Sequence, residues 1–288
     1  MRWTPGGTSR NIEDRRGSGG GGFPVGPGMG LGGLVILILG LLFGGNIFDG
    51  GDGTPAPTPP GQSTTQSGDV AVDETPAEKE LVQFVSYVLD DAQGVWVEKT
   101  PALGAEYREA KLVLFRNAVR SGCGVAQSAM GPFYCPLDEK LYIDLGFYDE
   151  LRRRFGAPGD FAQAYVLAHE IGHHVQKITG TAGRVREMQE RRPELANELS
   201  IRMELQADCY AGVWGKSTDQ RKLLEQGDVE EGLNAAAAVG DDRIQEMSTG
   251  SIHPESFTHG SSEQRKRWFM RGFESGDPRS CNTFEGGV

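Results

Sequence analysis

The chain has 288 residues, 38% of them hydrophobic, and its 29 Lys and Arg against 40 Asp and Glu give a formal net charge of −11. That length holds one large domain or two small ones. The acidic balance argues against nucleic acid as a partner and against electrostatic docking on anionic lipid.

Residues 1–30 are rich in Gly and Arg without periodicity and read as a disordered cytoplasmic tail. Residues 31–49 are mostly apolar or glycine and approach the roughly 20 residues that span a bilayer. They read as one transmembrane helix, with a cleaved signal peptide as the rival. Arg2, Arg10, Arg15 and Arg16 precede this segment, and Asp49 and Asp52 follow it. The positive-inside rule then predicts a single-pass protein of the cell inner membrane, with a cytoplasmic N-terminus and the remainder periplasmic or otherwise extracytoplasmic. Residues 50–77, rich in Gly, Pro, Thr and Ser, read as a flexible linker.

Residues 78–288 are enough for a domain with its own core. Leu81, Phe84, Val85, Val88 and Leu89 give 78–93 a helical period, while 111–116 and 140–147 read as strands. From Asp160 onward the chain is mainly helical. Strands before helices predict an α+β domain with a small sheet beside the first long helix. An exposed edge at 142–147 would suit an extended peptide.

Phe161, Ala164, Ala168, Ile171, Val175 and Ile178 form the apolar stripe of that helix, opened by Gly159-Asp160 and closed by Gly180. It carries His169-Glu170-Ile171-Gly172-His173. Histidines four apart lie one turn apart on one face and can close on one Zn²⁺. Glu170 beside them suits a general base acting on water at the metal. Gly172 is costly in a helix, about 1 kcal/mol against Ala, and predicts close approach of another backbone. His174 points about 100° away around the helix and reads as a packed or surface histidine.

A second helix, starting near Pro193 and ending near Gly215, carries Glu204 and Asp208 on one face. Glu204 is the expected third zinc ligand. Asp208, one turn on, suits a hydrogen bond from the far nitrogen of a ligand histidine. The fourth metal position is left for water, as catalysis requires.

Cys123, Cys135, Cys209 and Cys281 lack the Cys-x-x-Cys spacing of a metal site and read as disulfides, for which three pairings exist. In one of these, Cys123–Cys135 closes a short loop and Cys209–Cys281 pins the C-terminal tail to the second helix. His259, before Gly260 at the entry to a last helix, suits an oxyanion donor or a capping role, and Arg265 a salt bridge. His253, before Pro254, reads as structural.

His169-Glu170-x-x-His173 with Glu204 and Asp208 resembles the gluzincin type of zincin. The chain as a whole resembles a bacterial family known as "putative neutral zinc metallopeptidases". Beyond the zinc helix, the likeness is carried by Asn11-Ile12-Glu13-Asp14-Arg15-Arg16-Gly17, by Cys123-Gly124 with Gly131-Pro132-Phe133-Tyr134-Cys135-Pro136, and by Thr258-His259-Gly260-Ser261-Ser262-Glu263-Gln264-Arg265. The resemblance implies a zincin-like catalytic domain with one Zn²⁺, acting on protein or peptide substrates. It implies His169, His173 and Glu204 as metal ligands, Glu170 as base and His259 as oxyanion donor. Two other readings stay open at this point: a membrane-tethered scaffold with a vestigial zinc site, and a zinc amidohydrolase acting on cell-wall amides.

Overall fold

A computed structural model describes residues 1–17, 72, 74–154 and 156–288. The domain is α+β with a mainly helical C-terminal half. Strand β1 (Ile12–Asp14) comes first, then helix α1 (Pro76–Lys99) and strand β2 (Lys111–Phe115). A hairpin of β3 (Ala118–Ser121) and β4 (Gly124–Gln127) leads to β5 (Phe133–Cys135) and β6 (Lys140–Asp144). The helices follow: α2 (Gly146–Arg153), α3 (Asp160–Ile178), α4 (Thr181–Arg191), α5 (Ala196–Gln220), α6 (Asp228–Ala238), α7 (Asp241–Thr249) and α8 (Ser262–Ser275).

Helix α1 starts where local chemistry dictates. Thr75 Oγ1 accepts from the Glu78 amide at 3.2 Å, the Glu78 carboxylate accepts from the Thr75 amide at 3.0 Å, and Pro76 takes the first turn. The expected linker, which ran to residue 77, therefore overlaps the first two residues of α1.

The main sheet runs β1-β2-β6-β5, with the first three strands parallel and β5 antiparallel to β6. Leu112, Leu114, Leu141 and Ile143 face the helices, while Val113, Phe115 and Tyr142 face the β3–β4 hairpin. This period of two, buried on both faces, explains the nearly unbroken apolar run of β2. Strand β6 lies inside the sheet, so the expected edge at 142–147 is incorrect. β5 is the outer strand at that end, and the Cys123–Cys135 disulfide ties it to the hairpin turn.

The N-terminal reading needs a larger correction. Residues 12–14 are not a tail: they pair in parallel with Leu112, Val113 and Leu114. Trp3 packs edge-on against Phe84 with centroids 5.4 Å apart. A single membrane crossing between residues 17 and 72 would leave β1 and β2 on opposite sides of a bilayer, yet they share one sheet. The arginines read as a topology signal are spent locally. Arg16 Nη2 lies 2.6 Å from Asp14 and 2.8 Å from Glu74, and Arg15 lies 2.7 Å from Glu13. Among the described residues no helix is long and apolar enough to cross a membrane. The expected span at 31–49 and most of the linker lie outside them. The single-pass topology, the inner-membrane location and the membrane as partner are therefore set aside.

Helix α5 continues past Gly215 to Gln220 because its glycines serve packing rather than termination. A Cβ at Gly212 would meet the Phe269 carbonyl oxygen at 2.0 Å, and one at Gly272 would meet the Cys209 carbonyl oxygen at 1.9 Å. Helices α5 and α8 thus touch backbone to backbone, and Cys209–Cys281 fastens the segment beyond α8 to α5. Removing this crosslink with Cys209→Ala and Cys281→Ala together should cost about 4 kcal/mol of chain-entropy stabilisation. Urea unfolding checks this; a loss below about 1 kcal/mol would contradict the crosslink's role.

Candidate metal centre

Helices α3 and α5 cross at Gly172, where a Cβ would meet the Cα and carbonyl oxygen of Ala207, both at 3.1 Å. The close approach expected of that glycine is therefore present. It sets His169 and His173 on α3 against Glu204 on α5. His169 Nε2 lies 3.2 Å from Glu204 Oε2, His173 Nε2 lies 3.4 Å from Glu204 Oε1, and the two Nε2 atoms are 3.2 Å apart. Ligands about 2.0–2.1 Å from a tetrahedral zinc lie about 3.3–3.4 Å from one another, so the donor set fits zinc in both chemistry and spacing. All three residues are buried.

The partners of the imidazoles fix their tautomers. His169 Nδ1 lies 2.9 Å from Asp208 Oδ1, as expected of Asp208, and His173 Nδ1 lies 2.8 Å from Gln176 Oε1. Each acceptor holds a hydrogen on Nδ1 and leaves the Nε2 lone pair toward the shared centre. Asp208, with no exposure at all, also accepts from Tyr165 Oη and from Arg265 Nε at 2.8 Å and Nη2 at 2.9 Å. Burial works to raise its pKa, but the Arg265 and His169 charges outweigh burial and hold it low. Burial likewise opposes ionisation of Glu204, and the histidines overcome it, leaving its pKa well below the ordinary carboxylate value. At Glu170 burial outweighs the opposing His173 and His169 charges, and its pKa is raised.

His259 also reaches the cleft. Asp241 at the start of α7 organises its loop: it accepts from the amides of Thr258 at 2.5 Å, His259 at 2.7 Å and Gly260 at 3.3 Å, and from His259 Nδ1 at 3.0 Å. Burial lowers the His259 pKa, but the Asp241 carboxylate and Glu204 raise it further, for a net rise. His174 stays outside the site. Its Nε2 donates to the Arg108 carbonyl at 2.6 Å, and its Nδ1 accepts from Tyr134 Oη at 2.9 Å, tying α3 to β5. His253 is exposed near Glu255.

Tyr165, Gln176, Gln206 and Asp241 were not anticipated. Tyr165 and Gln176 carried a faint signal, lying four residues before His169 and three after His173 on one helix. Asp241 carried none, because its partner comes from a loop 18 residues later. A second acidic group, Asp160, Asp228 and Glu231, is met by the chain's own cation: the Met1 amine lies 2.5 Å from Asp160 and 3.3 Å from Asp228.

The cleft over the centre is mostly apolar, walled by Met130, Phe133, Phe147, Val166 and Ile244. Glu170 lines it together with the three donors.

Residues 1–284 match the family described as "Putative neutral zinc metallopeptidase". YpfJ of Escherichia coli strain K12 is 50% identical over 289 residues, covering 99% of each chain. Rv2575 of Mycobacterium tuberculosis strain ATCC 25618 / H37Rv is 44% identical over 206 residues, covering 68% of each. No solved structure gives a significant match.

Burial lowers the His169 pKa, but Asp208 and Glu204 outweigh it and raise it to about 9. A zinc ion held by His169 would have to displace that proton. Below about pH 9, each unit of acidification should weaken zinc binding about tenfold. Chelator competition between pH 7 and 8.5 tests this range; a pH-independent affinity there would contradict it.

Proposed function

The chain belongs to the "putative neutral zinc metallopeptidase" family, and on that premise we propose that His169, His173 and Glu204 hold its zinc and that Glu170 is the general base of peptide-bond hydrolysis. The protein is a zinc metallopeptidase with a single Zn²⁺ site. The observation that carries the residue assignment is the convergence of three metal donors with a further buried carboxylate, Glu170, in one cleft. A scaffold with a vestigial site has no use for Glu170.

When bound, zinc supplies Lewis-acid polarisation of a carbonyl and of water. The protein groups supply the rest. Glu170, with its pKa raised by burial, takes a proton from water and returns it to the leaving amine nitrogen. Asp208 and Gln176 hold the two imidazoles in the Nδ1–H tautomer, and Arg265 keeps Asp208 ionised. His259, whose imidazolium form Asp241 favours, donates its Nε2 hydrogen to the oxygen that gains charge in the transition state. The extended substrate adds to β5, which among the described residues pairs only with β6 and whose Phe133 and Tyr134 line the cleft.

Glu170→Gln should keep full zinc stoichiometry while kcat/KM on a peptide library falls about a hundredfold to ten-thousandfold. Glu204→Ala should instead lose zinc. Unchanged turnover in the first variant, or full metal content in the second, removes the corresponding assignment.

The His259 imidazolium is present below its pKa and lost as pH rises through it. Asp241 raises that pKa, so Asp241→Asn should move the basic limb of the kcat profile toward lower pH. A basic limb that stays in place would count against an Asp241-supported acid.

A further inference from the structure

Gln176, which holds His173, is itself held by buried polar groups that take no part in these steps. Gln176 is fully buried, and Gln206, two residues beyond Glu204 on α5, is 5% exposed. Buried amides need partners, and the partners here impose a direction. The Cys281 carbonyl can only accept, so it turns Gln206 with Nε2 toward it, at 2.9 Å. Gln206 Oε1 then faces Gln176. Gln176 Nε2 donates to that oxygen at 3.1 Å and to the Met203 carbonyl at 2.7 Å. Both amide hydrogens are spent, and only Gln176 Oε1 remains for His173 Nδ1, at 2.8 Å. An acceptor at that point demands a hydrogen on Nδ1. The lone pair is left on Nε2, the atom that faces Glu204 and His169. Cys281 is bonded to Cys209, three residues beyond Gln206 on α5.

We infer that Gln176 and Gln206 are positioning residues that select the metal-binding tautomer of His173, anchored at the carbonyl of the disulfide-held Cys281. A one-way chain of hydrogen bonds runs from the C-terminal segment to a ligand nitrogen, so the crosslink serves zinc affinity as well as stability. Gln176 acts on the imidazole directly. Gln206 acts through Gln176, whose amide is also oriented by Met203, so its effect is the smaller. The inference rests on His173 being a zinc ligand.

The test measures zinc affinity by chelator competition, and thermal midpoints of the metal-free proteins, for wild type, Gln176→Met, Gln206→Met, the double variant and His173→Ala. Gln176→Met should weaken zinc binding about 10–100-fold and Gln206→Met about fivefold. The double variant should bind no more weakly than Gln176→Met alone, because both changes interrupt one chain. Lower thermal midpoints with unchanged zinc affinity would mean a merely structural role and would overturn the inference. His173→Ala separates the two levels of the argument. If it binds zinc like wild type, the ligand assignment fails and takes the inference with it. If it loses zinc while both glutamine variants keep wild-type affinity, the chain of hydrogen bonds alone is refuted. Should the glutamine variants not fold, nitrogen-15 spectra of histidine-labelled, zinc-loaded wild type decide the matter. A hydrogen on His173 Nδ1 supports the inference, and one on Nε2 overturns it.

Discussion

The buried carboxylate of Asp208 is the interaction on which the rest of the site depends. It has no exposure and accepts from three side chains on two other helices: His169 and Tyr165 of α3, and Arg265 of α8. An ionised carboxylate in such a place survives only when its acceptor sites are filled and its charge is met. Removing one partner of a buried pair of this kind typically costs about 3–5 kcal/mol. One side chain of α5 therefore fixes the facing positions of α3 and α8. It also fixes the tautomer of His169, the proposed zinc ligand, and the place of the helix whose entry loop carries His259.

Around that carboxylate the frame is close-packed for reasons that can be named. Gly172 lets α3 meet α5 beside the candidate metal donors, and Gly212 with Gly272 lets α5 meet α8. Phe161 stacks on Trp214 with centroids 5.6 Å apart, and Tyr165 meets Phe269 edge-on at 5.7 Å. Site and core are thus the same packing unit, with Tyr165 in both. The other wall of the cleft is built from the sheet. Tyr134 joins β5 to α3 through His174, and the Cys123–Cys135 disulfide joins β5 to the hairpin. The outer strand proposed to receive substrate is held at a set distance from the metal donors by groups that do no chemistry.

Features that depend on local spacing were legible in the sequence. His169, Glu170 and His173 share one helix, and Glu204 with Asp208 share another, so their faces follow from the helical period. Gly172 was readable because glycine inside a strong helical pattern asks for a reason. Features created by distant pairing were not legible. Strand β1 is three residues long in a Gly- and Arg-rich stretch, and its partner lies about a hundred residues away. Arg15 and Arg16, taken as a topology signal, are ion-paired to carboxylates beside the sheet, which a count of charges cannot reveal. With β1 and β5 too short to show a period, β6 looked like an edge although both its neighbours were present. Asp241 and the Gln176–Gln206 pair escaped for the same reason: their meaning lies in what folding brings beside them.

The central claim is a zinc ion held by two imidazoles and one carboxylate, with a position left for chemistry. Metal analysis with zinc-edge X-ray absorption on the purified, zinc-loaded protein tests it most directly. The account predicts one zinc per chain and a first shell of nitrogen and oxygen alone, at about 2.0–2.1 Å, with the scattering signature of two histidines. A sulfur shell near about 2.3 Å, or a first shell with no histidine scattering, would contradict it.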